Sequence, residues 1–96
     1  MTREEHLLTI LAEECNEVAQ RCSKALRFGL DEIQADQSYT NAERISIEVA
    51  QLHATFEMMF DENLLPAPQR AHMREKKAAI VRWMDYSKKQ GTLTDQ

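Results

Sequence analysis

Glycine and proline are scarce, with two of each in 96 residues. So few chain-breaking residues exclude an architecture of short strands and tight turns, and the wealth of Leu, Ala, Glu, Lys, Gln and Met favours long helices. Long apolar runs are missing too: nothing approaches the roughly 18 uninterrupted apolar residues of a membrane span, so no membrane partner is expected. The opening Thr2-Arg3-Glu4-Glu5-His6 is polar and the Leu7 to Leu11 segment soon meets Glu13 and Glu14, which predicts no export signal. An excess of positive charge is also lacking. A formal charge of −4 and a pI near 5.3, with acids and bases interspersed, exclude a dedicated binder of nucleic acid polymers. Cysteine is limited to Cys15 and Cys22. On one helix their spacing separates them by about 10 Å along the axis, too far for a disulfide, which points to a reducing cytoplasmic setting.

What is present is helical patterning. Thr2 with Glu5 fits a capping box, and Leu7, Leu11, Val18, Cys22, Ala25 and Leu26 then recur at helical spacing, predicting a first helix over about residues 3–28 that ends at Gly29. Residues 30–39 form an acidic, weakly patterned connection. A second capping box, Thr40-Asn41-Ala42-Glu43, precedes Ile45, Val49, Leu52, Phe56 and Met59, and this second helix should stop near residues 61–63, ahead of Pro66 and Pro68. A third helix is expected from about Pro68 to Lys89, with Met73, Ile80, Trp83, Met84 and Tyr86 on its apolar side. The expected fold is all-α: one domain over residues 1–89, an antiparallel bundle of three main helices, and a flexible tail over 90–96. So short a chain buries a modest core, so a second copy should complete it as a homodimer or homotetramer.

Certain acids sit where acids are uncommon. Projected at about 100° per residue, Ile10, Glu14, Glu17, Arg21 and Lys24 share an edge of the first helix beside its apolar stripe, whereas Glu13 faces solvent. In the second helix Glu48 projects next to Leu52 and Met59, with Gln51 and Thr55 along the same edge. A carboxylate bordering a core needs a partner. Two antiparallel helices that each bring inward acids can converge oxygen ligands on a hard cation such as Mg²⁺. Ordinary ion pairs, Glu14 with Arg21 or a lysine and Glu48 with a base of the third helix, satisfy the same spacing. His53 reads as a packed or half-exposed histidine, Cys15 and Cys22 as small core residues, and Trp83 and Tyr86 as packing residues.

The segments Leu11-Ala12-Glu13-Glu14-Cys15-Asn16-Glu17-Val18-Ala19-Gln20, Ser23-Lys24-Ala25-Leu26-Arg27-Phe28-Gly29 and Thr40-Asn41-Ala42-Glu43-Arg44-Ile45 resemble the all-α nucleoside triphosphate pyrophosphohydrolases (MazG-like), especially short phage-encoded versions. Arg74-Glu75-Lys76-Lys77 and Arg82-Trp83-Met84-Asp85-Tyr86-Ser87 are similar to the same family, so the resemblance spans most of the chain. That family carries an E-x-x-E motif on one helix and an E-x-x-D motif on the next. Glu14 and Glu17 match the first pair and Glu48 opens the second, but Gln51 stands where the family has aspartate, and the two motifs lie further apart than usual.

The resemblance implies that Glu14, Glu17, Glu48 and Gln51 hold Mg²⁺, or Mn²⁺ in its stead, against a nucleoside triphosphate, and that hydrolysis yields the monophosphate and pyrophosphate. Glu14, Glu17 and Glu48 are then the catalytic acids, with Glu17 or Glu14 orienting the water, and Lys24 or Arg27 neutralises phosphate charge. A glutamine offers Mg²⁺ a neutral oxygen, so cation affinity and water activation both weaken. The alternative is therefore a homologue that binds nucleotides or nucleotide-like signals with little or no turnover.

Overall fold

The computed structural model describes residues 1–94. Among them the order is α1 (Arg3–Phe28), α2 (Asn41–Asp61) and α3 (Arg70–Lys89), with no strand. The fold is all-α, as composition and periodicity imply, and no helix among the described residues is long and apolar enough to cross a membrane. The chain divides into two compact units, Met1–Pro66 and Ala67–Gln96.

In the first unit α1 and α2 pack as an antiparallel hairpin. Local chemistry sets their starts. The Thr2 hydroxyl accepts from the Glu5 amide at 3.1 Å, and Thr40 with Glu43 closes a full capping box in which each side chain satisfies the other's backbone N–H. The end of α2 is made differently from the expectation that Pro66 and Pro68 stop it. Asn63 adopts a left-handed conformation (φ 62°), its amide donates to the Phe60 carbonyl at 3.0 Å, and the Leu64 amide reaches the Met59 carbonyl at 2.9 Å. Those two bonds are a Schellman motif with asparagine in the glycine position.

Residues 29–42 decide how the two helices face each other. Asn41, at the start of α2, is 1% exposed, and its side-chain amide donates to the Gly29 carbonyl and to Glu32 Oε1, each at 2.8 Å. Main-chain bonds run beside it, from the Asn41 amide to the Glu32 carbonyl and from the Ala42 amide to the Leu30 carbonyl, both 3.0 Å. One buried amide thus ties the last turn of α1 to the first turn of α2. At the other end of the hairpin Arg3 grips Glu62 with two parallel bonds of 2.7 and 2.8 Å.

The buried stripe is narrower than the sequence suggests. Leu7 and Met59 are buried, with Ile10, Leu11, Val18 and Ala25 of α1 and Ile45, Leu52 and Phe56 of α2 half-buried. Cys15, Cys22 and Leu26 are exposed, Leu26 by 88%. At about 100° per residue, Leu26 points roughly 100° away from Leu7, while Glu14 points only about 20° away. The inward face of α1 is therefore shifted toward its acidic edge.

In the second unit α3 ends in its own Schellman motif: Gly91 (φ 78°) donates to the Lys88 carbonyl and Thr92 to the Ser87 carbonyl, both at 3.0 Å. The Thr92 hydroxyl adds a bond to the Ser87 carbonyl at 3.2 Å, so the chain stays bonded to α3 beyond Lys89. Asp95 and Gln96, the end of the tail expected to be flexible, lie outside the described residues. Trp83 and Tyr86 meet edge to face with centroids 5.5 Å apart, yet both are exposed rather than packed into a core.

Replacing Asn41 with alanine should cost roughly 1–3 kcal/mol, because its bonds to the Gly29 carbonyl and to Glu32 are lost at a buried position. A lower urea midpoint at unchanged m-value is the expected result. A midpoint equal to that of the parent chain would mean that the amide does not carry this connection.

Candidate metal centre

The hairpin brings Glu14 and Glu17 of α1 opposite Glu48 of α2, with one carboxylate oxygen from each lying within 4.8 Å of the others. The two α1 acids are one turn apart, and the antiparallel register places Glu48, seven residues into α2, across from them. Glu14 and Glu48 are half-buried and Glu17 is exposed. Oε2 of Glu14 and Oε2 of Glu48 are shut off from solvent with no hydrogen-bond donor, and Nη1 of Arg21 is buried without an acceptor.

The electrostatics follow from this crowding. Burial, first, and then a hydrogen bond shared with Glu17 hold the Glu48 carboxyl above the ordinary glutamate range; repulsion from the Glu17 and Glu14 charges adds to this, and the positive charge of Arg21 opposes it. Such a shared bond needs a proton between two carboxyls. Like-charged carboxyls and two oxygens without donors thus meet in one place. Several carboxylate oxygens so close together are what a hard divalent cation, Mg²⁺ or Mn²⁺, takes as ligands, and the unpartnered oxygens of Glu14 and Glu48 are free to serve it.

Within the hairpin the ion pairs offered by the first helix are not formed: among the described residues Glu14, Glu17 and Glu48 have no salt bridge to Arg21, Lys24 or Arg27. Gln51 is exposed one turn beyond Glu48, and its main-chain carbonyl accepts from the buried Thr55 hydroxyl at 3.1 Å. Lys24 is half-buried on the acidic edge of α1, whereas Arg27 is exposed and lays its guanidinium over the Phe28 ring, 4.8 Å from the centroid. Arg21 is the residue that spacing alone undervalued. It stands on the same edge as the glutamates, where spacing offers it as a salt-bridge partner, and only its closed-off Nη1, which has no acceptor, separates it from that role.

The remaining residues take other places. His53 is exposed, in a shallow groove with Val49 and Glu57, rather than packed. Cys15 and Cys22 are free and exposed, not small core residues, because they project roughly 60–80° off the Leu7 direction. No protein-family model, curated protein or solved structure matches this chain.

A carboxylic acid whose folded-state pKa is raised contributes stability that is fully present below its unfolded pKa and is lost as pH rises through the folded value. Without metal, Glu48→Gln should therefore be more stable than the parent chain at pH 7, and the difference should vanish below about pH 4. Adding Mg²⁺ should stabilise the parent more than the variant. Urea titrations at several pH values, with chelator and with Mg²⁺, test this. A difference independent of pH would show that Glu48 is an ordinary surface acid.

Proposed function

We propose that this chain is a divalent-cation-dependent nucleotide pyrophosphohydrolase, converting a nucleoside triphosphate to the monophosphate and pyrophosphate. The observation that carries this reading is the convergence of Glu14, Glu17 and Glu48 with two buried oxygens left unpartnered, in a chain whose segments around those residues resemble the MazG-like family. Cation ligation falls to these three carboxylates, with Gln51 as a neutral oxygen in the fourth position of the motif. A bound Mg²⁺ would neutralise phosphate charge and lower the pKa of a water in its shell. Glu17, the exposed member, would accept that water's proton. Attack at the α-phosphorus breaks its bond to the bridging oxygen, and pyrophosphate leaves with that oxygen. Lys24 and Arg27 lie further along α1, where cations would offset phosphate charge.

The architecture that goes with this reading is an antiparallel bundle of the three helices, completed in a cytoplasmic homodimer or homotetramer. Exposed Ile47, Met58, Phe60, Ile80 and Trp83 supply apolar surface for such an assembly. Gln51 favours one other reading, a binding protein that holds a nucleotide or a nucleotide-like signal with little turnover, because a neutral fourth ligand weakens both cation affinity and water activation.

The two separate on incubation with a panel of ribo- and deoxynucleoside triphosphates and Mg²⁺ or Mn²⁺, followed by chromatography. Pyrophosphate and monophosphate in equal amounts are expected, with Glu17→Gln lowering the rate roughly 100-fold or more and Gln51→Asp raising it. A chelator-sensitive thermal shift by a nucleotide without any product would move the assignment to the binding protein, and absence of both would end the nucleotide reading.

A further inference from the structure

We propose that Arg21 is a substrate-binding residue of this site, and that its guanidinium receives the terminal phosphates of a triphosphate whose cation is held by Glu14, Glu17 and Glu48. The inference deepens the pyrophosphohydrolase reading and rests on it. Arg21 is half-buried on α1, seven residues from Glu14 and therefore on nearly the same side of the helix, and its Nη1 is closed off from solvent with no acceptor. A buried, unpartnered guanidinium N–H is costly, and Glu17 lies one helical turn away on the same side of α1, yet Arg21 forms no salt bridge with it or with Glu14 or Glu48. Its charge still acts on Glu48. The donor thus sits beside the acids without being consumed by them.

Charge balance gives that donor a task. With Glu48 ionised, three carboxylates against one guanidinium suit a single divalent cation, and the neutral Gln51 adds no charge to balance a second. A triphosphate bound to one divalent cation remains anionic, so the site needs another positive group to receive it. A planar guanidinium matches phosphate oxygens with two parallel bonds, which a lysine ammonium cannot do. Arg27 is engaged on the Phe28 ring and exposed, which leaves Arg21 as the arginine of α1 set into the acidic edge beside Glu14 and Glu17.

Two binding measurements on the full chain, neither of which needs turnover, test the assignment. Mn²⁺ alone is titrated by electron paramagnetic resonance, and the Mg²⁺ complex of inorganic triphosphate by calorimetry, for the parent, Arg21→Met and Arg21→Lys. The expected result is Mn²⁺ affinity equal to or above the parent's in Arg21→Met, because a neighbouring positive charge has gone, with triphosphate affinity weakened about tenfold or more. Arg21→Lys, which keeps the charge without the fork, should fall between, and it decides the matter if Arg21→Met does not fold. Tighter Mn²⁺ binding with unchanged triphosphate affinity in both variants would overturn the assignment and make Arg21 a counter-charge only. A parent chain that binds no Mn²⁺ would overturn the metal-centre reading itself, and this assignment with it.

Discussion

The side-chain amide of Asn41 is the constraint on which the rest of the first unit depends. It joins the Gly29 carbonyl, at the end of α1, to Glu32 while occupying the first position of α2, so the connection leaves and re-enters the hairpin at defined points. A helix turned by one residue about its axis moves every side chain by about 100°. Held at this end by Asn41 and at the other by the Arg3–Glu62 pair, α1 and α2 keep the register that sets Glu48 across from Glu14 and Glu17. The exposed arginine pair adds direction more than energy, as surface pairs do. Asn41 is buried, and there an unmet hydrogen bond is costly.

The geometry so produced works against stability. Three carboxyls crowd at the edge of a small core, Glu48 is pushed toward its neutral form, and two oxygens and one guanidinium nitrogen are buried without partners. A core built for stability alone would place apolar residues there, as α1 does at Leu11 and Val18. Concentrated electrostatic cost of this kind is the usual mark of a site that a ligand completes. Both signs of unmet charge lie together: carboxylates that would take a cation and an arginine that would take an anion. A cation-bound polyphosphate carries both complements in one molecule, which is why the nucleotide reading accounts for Arg21 as well as for the glutamates.

Much of the helical outline was legible because local chemistry specifies it. Thr2 and Thr40 mark the starts of α1 and α2, Gly29 marks the end of α1, and period-four-and-three spacing carries α2 from Ile45 to Met59. The connection between the helices was not legible. Its ties are main-chain bonds and one amide reaching back 12 residues, which no periodicity records. The end of α2 was placed correctly for an incomplete reason, since Pro66 and Pro68 advertise a stop while Asn63 makes it. For the candidate site, helical projection set the three carboxylates that lie together beside the core but misjudged Cys22 and Leu26, because the true inward face of α1 is centred nearer Glu14 than the apolar residues alone suggest. Arg21 read as an ion-pair partner of Glu14 for a related reason: spacing shows which groups are neighbours, not whether they pair.

The central claim is that Glu14, Glu17 and Glu48 act together as one cation site, and paramagnetic broadening by Mn²⁺ in the carboxyl and amide resonances tests it most directly. Substoichiometric Mn²⁺ should broaden signals of residues around 14–17 and 48 first and together, with chelator restoring them. Early broadening scattered over other acids, such as Glu4, Glu13, Glu57 and Asp61, with no preference for the three, would contradict the account.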